Sequence, residues 1–370
     1  MQQQTKLLQI DKNHPNSFII NRAASLLKEG QVVVFPTETV YGLGGDAMQS
    51  QALERIFAAK ERPYSDPLIV HIADEDALEM LVTSIPPQAR ALAKAFWPGP
   101  LTMILPASPR VPALVTAGLA TIAIRMPRHP VALALIRALG SPIAAPSANR
   151  FMHVSPTTAQ HVLTDLDGRV PLILDSGPCD VGVESTVLDL CSPIPTILRP
   201  GGVSLEALQQ VLPEVVYRNH SSNEGSKEHE AQNAPGQLLT HYAPSVPTFL
   251  FEGSTASMHR AMLAEVRQRQ AQGERVGVLI AEEDILAFAE SGARIYTPGS
   301  VNALEQIATH LFAGLRTLEE AGVNSILCRS FPEQGLGLAI RDRLRKAAGG
   351  KVIRGNEEII ARLYGANNVS

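Results

Sequence analysis

The chain has 370 residues, which exceeds the length that one hydrophobic core usually serves, so we expect two domains. Its 32 Lys and Arg against 36 Asp and Glu give a formal net charge of −4, which excludes a surface built throughout for nucleic-acid binding. Three cysteines without a CxxC pair indicate neither a zinc finger nor a disulfide framework. Without a signal peptide or long apolar span, we expect a soluble cytoplasmic protein with no membrane partner.

A helix and a buried strand are the first predicted elements. Residues 17–30 carry apolar side chains at helical spacing, with Asn16 or Ser17 as the N-cap and Gly30 as the C-terminal stop. The apolar run 32–35 follows and has no polar face, which is typical of a strand covered on both sides.

Hydroxyl groups and glycines follow this strand. Thr37, Glu38 and Thr39 are the first polar side chains, and residues 41–45, YGLGG, predict a flexible turn in which backbone could approach a ligand. The turn has neither the Gly-Lys-Ser/Thr of a Walker A loop nor the third glycine of a dinucleotide fingerprint. A phosphate ligand would therefore need cationic side chains from elsewhere, and a simple structural turn is the alternative interpretation.

The next predicted helix ends in two cations. Residues 51–60 have helical spacing, with Lys60 and Arg62 at the exit, where the helix dipole alone would favour them. The apolar run 67–71 predicts a strand that ends on His71. Polar groups thus gather beside strand ends, which is where open α/β sheets bind small ligands.

An arginine ends a later strand. Helices are predicted at 73–82 and 85–97, and strands at 101–105 and 121–127. Alternation puts Thr121 and Arg125 on one face of the last strand. An arginine within an apolar strand needs an anion or a carboxylate partner.

Polar turns continue through the next segment. A helix over 129–140 precedes a strand that runs into the turn 147–149, and Ser155 is the predicted N-cap of a helix over 157–166. A capping role alone is at least as well supported for Ser155 as a ligand contact.

Three further strands are predicted at 172–175, 181–190 and 197–199. The second carries Glu184 and Ser185 in its middle, and the third ends on Arg199. With Arg62 and Arg125, three arginines thus occur at strand or helix exits, a repeated placement that is hard to explain as surface decoration.

A change of composition divides the chain. We predict a first domain at 1–216, a linker at 217–245 and a second domain at 246–370, because the linker is polar and rich in Ser, Asn and Glu. Strands alternating with helices after residue 246 predict a small parallel α/β domain. This second domain carries a basic cluster that is most simply a solvated helix face, formed by Arg341, Arg343, Arg345 and Lys346.

Several short motifs occur in one order along the chain: PTETVYGLG, the KxR of Lys60 to Arg62, PLIVHI, PGPLT, the SxN of Ser147 to Asn149, ESTV, RPG and HYAP. Together they resemble the threonylcarbamoyl-AMP synthases in their long, two-domain form. The resemblance implies an α/β fold in which a YrdC-like twisted open sheet with flanking helices forms the core, followed by a smaller Rossmann-like parallel α/β domain.

The resemblance also implies an activity. Members of this family are nucleotidyltransferases that join L-threonine, bicarbonate or CO2 and ATP, with Mg²⁺ on the phosphates, into threonylcarbamoyl-AMP and pyrophosphate. The product passes to a tRNA threonylcarbamoyl transferase complex, which makes threonylcarbamoyladenosine.

Matching motif by motif, the resemblance assigns residues to each substrate. L-Threonine would be bound by Thr39, His71, Arg125, Ser185 and the backbone of Ala145. ATP would be bound by Arg62, Asp66, Thr121, Ser147, Asn149, Ser155, Arg199 and Tyr242. Lys60 and Arg62 would be catalytic through charge, without a covalent nucleophile, and no side chain is assigned to a metal. We expect residues 241–244 to fold over the site as a lid.

Three alternatives remain open from the sequence. A related domain could transfer a carbamoyl group from carbamoyl phosphate, although no CxxC zinc finger accompanies it here. The chain could instead be a binding module for tRNA or double-stranded RNA, which the negative net charge disfavours. The second domain could be regulatory or dimer-forming.

Overall fold

The computed structural model describes residues 4–218 and 242–354, and these fall into two compact units. Unit 1 contains residues 4–151 and 155–218, and unit 2 contains residues 152–154 and 242–354. Most of the predicted linker, residues 219–241, lies outside the described residues, so the predicted lid, which begins at His241, stays a prediction.

Unit 1 is a mixed sheet with helices against it. Its helices are α1 (Ser17–Lys28), α2 (Ser50–Lys60), α3 (Leu78–Leu81), α4 (Pro87–Phe96), α5 (Ala113–Thr116), α6 (Pro130–Leu139), α7 (Ala159–Leu166) and α8 (Leu205–Val211). Its strands are β1 (Lys6–Gln9), β2 (Val33–Phe35), β3 (Gly42–Asp46), β4 (Ile69–His71), β5 (Leu101–Pro106), β6 (Thr121–Arg125), β7 (Ile143–Ala144), β8 (Leu172–Asp175), β9 (Thr186–Asp189), β10 (Thr196–Arg199) and β11 (Val216–Tyr217).

In the described part of unit 1 these strands form one eleven-stranded sheet in the order β1-β8-β2-β3-β7-β4-β6-β5-β9-β10-β11. The sheet is buried on both faces around β2, because Val33 and Phe35 pack into one hydrophobic cluster and Val34 into another. The predicted twisted α/β core is confirmed, and so is the strand read from the apolar run.

Helix α1 begins and ends as its sequence predicts. Asn16 is the N-cap, and its side-chain oxygen accepts a hydrogen bond of 2.9 Å from the backbone N–H of Phe18. Gly30 follows the last turn with φ of 72°, a backbone conformation that favours glycine.

The predicted glycine turn is wrong, because Gly42–Asp46 forms strand β3, paired antiparallel with β2. The glycines are needed there for packing. A Cβ atom on Gly44 would lie 2.6 Å from the Phe35 ring and 2.8 Å from Ile143. The absence of a side chain on Gly44 therefore leaves room for large side chains of the core. The presence of glycine in β3 does not require a ligand close to the backbone.

Two further predictions of local structure are corrected. Strand β9 begins at Thr186, so Glu184 and Ser185 precede the strand instead of lying in its middle. Thr158, not Ser155, caps helix α7, because its hydroxyl accepts a hydrogen bond from the backbone N–H of His161. The hydroxyl of Ser155 has a different partner, described below.

Unit 2 is the smaller parallel α/β domain that the sequence predicts. Its elements are β12 (Thr248–Glu252), α9 (Thr255–Ala271), β13 (Val276–Leu279), α10 (Ile285–Phe288), β14 (Arg294–Tyr296), α11 (Leu304–Glu320), β15 (Ser325–Arg329), α12 (Gly337–Ala347) and β16 (Val352–Arg354). The five strands form a sheet in the order β14-β13-β15-β12-β16, and every neighbouring pair is parallel. No helix in the described ranges is long and apolar enough to cross a membrane.

The basic cluster on helix α12 is not a solvated face. Arg343 is fully buried, and its guanidinium lies 5.0 Å from the centre of the Tyr242 ring. All four cations form ion pairs: Arg341 and Arg345 with Glu252, and Arg343 and Lys346 with Asp342. These two carboxylates compensate half of the positive charge on which an RNA-binding surface would depend.

Candidate functional site

Two sets of polar groups meet in unit 1. One set follows strands β2 and β7, in the segments 37–39 and 145–149. The other lies at the ends of β4, β6 and β10, where His71 and Arg125 are register partners on neighbouring parallel strands. An ion pair between Arg125 and Glu38 joins the two sets, so the chain brings together residues that are far apart in sequence.

The guanidinium of Arg125 is held from three sides. Its Nε donates to the backbone oxygen of Gly99 at 3.3 Å, and its Nη1 donates to Thr39 Oγ1 at 2.9 Å. Its Nη2 lies 2.7 Å from Glu38 Oε1, an ion pair without the alignment of a hydrogen bond. Since a guanidinium has five N–H donors, this arrangement leaves donors for the two oxygens of a further carboxylate.

His71 is a neutral hydrogen-bonding group beside this guanidinium. The imidazole is buried, its Nδ1 has no hydrogen-bond partner, and Phe35 packs edge-on against it with 6.2 Å between ring centres. Burial, reinforced by the positive charge of Arg125, lowers the pKa of His71 to about 3. The ring is therefore uncharged near neutral pH and can offer a polar ligand one hydrogen bond.

This burial predicts a pH dependence of stability. The ordinary pKa of a histidine is 6.5, and burial lowers the pKa of His129 to about 4, as it lowers that of His71. Between about pH 6 and pH 5 the unfolded chain binds protons at both histidines and the folded chain does not. The free energy of unfolding should therefore fall as pH falls, by up to about 1.4 kcal/mol per pH unit for each histidine.

Urea titrations at several pH values would measure this slope. His71→Gln should remove the contribution of one proton, and His14→Gln, at an exposed position, should leave the slope unchanged. An unchanged slope in His71→Gln would show that His71 is not buried in its neutral form.

Ser185 lies directly before β9, between a hydroxyl and a guanidinium. Its Oγ is 2.7 Å from Thr102 Oγ1, and Arg199 Nη2 donates to the Ser185 backbone oxygen at 2.9 Å. Gly201 fixes this arrangement, since a Cβ atom there would lie 2.3 Å from the backbone oxygen of Glu184. The chain after Arg199 thus packs directly on the backbone of the segment that carries Ser185.

Lys60 fixes the turn after β7. It is buried at the end of α2, and its Nζ donates to the backbone oxygens of Ser147 and Asn149, the latter at 2.5 Å. The Ser147 hydroxyl donates to Asn149 Oδ1. Burial, with Arg62 nearby, holds the pKa of Lys60 well below its ordinary value. The KxR and SxN motifs therefore contact each other.

Arg62 and Asp66 form a buried ion pair next to this turn. Arg62 Nη2 lies 2.9 Å from Asp66 Oδ2 and donates to the backbone oxygen of Pro67 at 2.9 Å. Burial raises the pKa of Asp66, and the charges of Arg62, Lys60 and Arg199 oppose that rise. Three basic side chains thus act on this carboxylate, and arginine in particular suits the oxygens of a polyanion such as a triphosphate.

Ser155 donates to a carboxylate instead of capping a helix. Its Oγ donates to Glu184 Oε1 at 2.5 Å, and both side chains are buried. This bond joins the segment before α7 to the segment before β9, which also carries Ser185.

Two other predicted residues, Thr121 and Ala145, have no side-chain hydrogen bond to these groups among the described residues. Thr121 begins β6, four residues before Arg125, which corresponds to about 13 Å along a strand. The Ala145 N–H already donates to the Ile69 oxygen, at 2.9 Å. Tyr242 is buried in unit 2, with its ring 5.7 Å from that of Phe312. Its assignment to ATP therefore stays a prediction.

The sequence analysis missed Glu38 and Glu184 as site residues. For Glu38 a signal was available, because Arg125 required an anionic partner and a carboxylate stands between the two threonines of the PTET motif. For Glu184 no such signal was available, because the predicted strand over 181–190 included this residue. In the structure β9 begins at Thr186, so Glu184 precedes the strand.

Known families match both units. The family described as "Telomere recombination" matches residues 25–201, and that described as "Threonylcarbamoyl-AMP synthase, C-terminal domain" matches residues 203–349. The threonylcarbamoyl-AMP synthase of Bacillus subtilis (strain 168) is 48% identical over 93% of this chain and 97% of its own length. That of Pyrococcus abyssi is 44% identical over 90% of this chain and 95% of its own length.

A solved structure aligns with nearly the whole chain. The crystal structure of P. abyssi Sua5 complexed with L-threonine aligns with a TM-score of 0.88 and 41% identity, covering 95% of this chain and 100% of that chain. With the α/β core, the parallel second unit and the ordered motifs, these matches show that the chain belongs to the threonylcarbamoyl-AMP synthase family of nucleotidyl-transferring enzymes.

Proposed function

We propose that this chain joins L-threonine, bicarbonate or CO2 and ATP into L-threonylcarbamoyl-AMP and pyrophosphate, and that the product serves threonylcarbamoyladenosine synthesis in tRNA. The observation that carries the proposal is the guanidinium of Arg125, which is held from three sides and keeps donors for a carboxylate. The L-threonine complex of a relative of 41% identity supports the same substrate.

The groups around Arg125 fit the rest of L-threonine. The α-carboxylate would bind the guanidinium in a forked geometry, which arginine suits better than lysine does. The neutral His71 ring and the hydroxyls of Thr39 and Ser185 would hydrogen-bond to the polar groups of the substrate. A site that hydrogen-bonds a substrate hydroxyl rejects analogues without it strongly, whereas one methyl group is worth about 1–3 kcal/mol.

ATP would lie along the cations at the ends of α2 and β10. Arg62, Arg199 and Lys60 act together on Asp66, and they would neutralise phosphate oxygens without a Walker loop. A small apolar cluster that includes Ile69 and Ala123 lies on the Thr121 face of β6 and offers a surface for the base.

Mg²⁺ would arrive with ATP. Among the described residues no group of three or more His, Cys, Asp or Glu side chains could hold a metal ion, so phosphate oxygens would supply its main ligands. Bound there, the ion would neutralise charge that develops on the leaving pyrophosphate.

The chemistry follows from position and charge. The threonine nitrogen, after its ammonium loses a proton to water, would attack CO2 and release a second proton as it forms a carbamate. A carbamate oxygen would then attack the α-phosphorus of ATP in line, so that pyrophosphate leaves. No covalent enzyme intermediate is needed, and burial raises the pKa of the Cys179 thiol, which keeps it unreactive. Catalysis would rest on positioning and electrostatic stabilisation.

Pyrophosphate release from ATP, with bicarbonate and each of the twenty amino acids in turn, tests the proposed function. We expect release that depends on both threonine and bicarbonate and that accompanies a new, short-lived adenylate. Serine, which lacks one methyl group, should support it with kcat/KM about 10- to 200-fold lower. Absence of release with every amino acid, while ATP still binds, would reject the synthase proposal.

Tyr242 tests the proposed lid. If the segment 241–244 shields the mixed anhydride from water, Tyr242→Ala should shorten the lifetime of the adenylate and weaken ATP use. The measurement is hydrolysis of preformed product in the presence of enzyme, followed by chromatography.

A matched control separates the lid from simple loss of packing. Tyr242→Ala also removes a buried ring, which costs about 3–5 kcal/mol of stability. Phe312→Ala removes the ring against which Tyr242 packs and keeps the tyrosine. Equal adenylate lifetimes in the two variants and the wild type would reject the lid.

A further inference from the structure

Glu38 is a buried carboxylate that the proposed reaction has not used. It is 1% exposed, and neither of its side-chain oxygens accepts an aligned hydrogen bond. Within the described residues its one ion-pair partner is Arg125, at 2.7 Å. A buried carboxylate has about four lone-pair positions, and leaving most of them unmatched is costly. Such a carboxylate requires a further hydrogen-bond donor, and a bound ligand can supply one.

The charge balance of the site indicates the sign of that donor. Glu38 and Arg125 together are neutral, so a carboxylate bound to Arg125 would add one uncompensated negative charge to a buried place. A ligand that also carried one positive charge next to Glu38 would restore neutrality. A neutral pair of opposite charges is thus complementary to a neutral zwitterion.

We propose that Glu38 binds the α-ammonium of the substrate while Arg125 binds its α-carboxylate, so that the buried pair is a receptor for an amino-acid zwitterion. The inference rests on the proposed function. In an α-amino acid the nitrogen and the carboxylate are attached to the same carbon atom, so their receptors must lie side by side. Glu38 Oε1 and Arg125 Nη2 meet that requirement, because they are in contact.

A purely structural role makes a different prediction. If Glu38 only holds Arg125 in place, its loss should weaken every ligand that carries a carboxylate. If Glu38 binds ammonium, its loss should weaken only ligands that carry one. Two analogues separate these roles: 3-hydroxybutanoate is threonine without the ammonium, and L-threoninol is threonine with an alcohol in place of the carboxylate.

The experiment measures dissociation constants of L-threonine and both analogues on the full chain by ligand-observed NMR, which is sensitive to millimolar affinities. Glu38→Gln should weaken threonine and threoninol about 10- to 100-fold, the loss expected for one charge-assisted hydrogen bond, and should change 3-hydroxybutanoate less than threefold. Glu38→Asp keeps the charge and should recover part of the loss. Asp74→Asn removes a carboxylate from an exposed ion pair with Arg137 and should leave all three affinities unchanged.

Three outcomes overturn the inference. Equal losses for threonine and 3-hydroxybutanoate in Glu38→Gln would make Glu38 a positioning residue for Arg125. Unchanged affinity for threonine would remove it from recognition altogether. The third outcome is that Glu38→Gln does not fold and that Glu38→Asp restores neither threonine affinity nor thermal stability. Glu38 would then have a role in folding alone. Failure of the proposed function has its own signature, namely that wild-type chain does not bind threonine.

Discussion

Replacing Arg125 with alanine should reduce kcat/KM for L-threonine by about 30- to 5000-fold, equivalent to about 2–5 kcal/mol. The change removes the fork proposed for the substrate carboxylate, and it leaves Glu38 buried without its ion partner. Threonine-dependent pyrophosphate release at varied threonine concentration measures the loss, and urea titration reports how much of it comes from unfolding.

Two companion variants locate the cause. Arg125→Lys keeps the charge but loses the fork and should fall between wild type and Arg125→Ala. Arg137→Ala breaks an ion pair with Asp74 in which both side chains are more than half exposed, so it should cost at most about 1 kcal/mol and leave turnover unchanged. If Arg125→Ala showed the same threonine kinetics as the wild type, Arg125 would not be part of the threonine-binding site.

Replacing Arg62 with alanine should lower kcat/KM for ATP by about 100- to 1000-fold while threonine affinity stays within about threefold of wild type. Arg62 is one of three basic residues that act on Asp66, and its guanidinium contacts that carboxylate. Pyrophosphate release at varied ATP concentration gives kcat/KM for ATP. Calorimetry with threonine alone gives the threonine affinity.

The partner carboxylate distinguishes ATP binding from local folding. In Arg62→Ala the Asp66 side chain loses its ion pair in a buried place, so Arg62→Ala combined with Asp66→Asn should regain stability. ATP use should not return with it. If the double variant recovered ATP kinetics, Arg62 would serve only to neutralise Asp66. Arg169→Ala, which breaks an ion pair with the exposed Glu61, is the matched control.

The sequence predicts well those features that depend on local chemistry. The apolar run at Val33–Phe35 and the cap at Asn16 require only side-chain hydrophobicity and a hydrogen bond two residues away. The resemblance assigns Lys60, Ser147 and Asn149 to one pocket, and in the structure Lys60 contacts the backbone of the other two residues.

The errors arise where distant residues decide the local structure. The glycines of β3 resemble a turn in the sequence. In the structure, Gly44 is needed because the side chains of Phe35 and Ile143 occupy the space that a Cβ atom would fill. Ser155 resembles an N-cap because its acceptor, Glu184, is 29 residues away. The solvated face expected on α12 fails for Arg343 because Tyr242, whose ring lies under its guanidinium, comes from another part of unit 2.

Gly201 carries a consequence for how variants of this chain are interpreted. The residue bears no functional group and contributes nothing to substrate chemistry, yet any side chain there would collide with the backbone at Glu184, Ser185 and Thr186. A survey of tolerated substitutions would therefore rank Gly201 with the ligand-binding residues. Intolerance to substitution in this chain marks both the atoms that touch a substrate and the empty space that keeps those atoms in place.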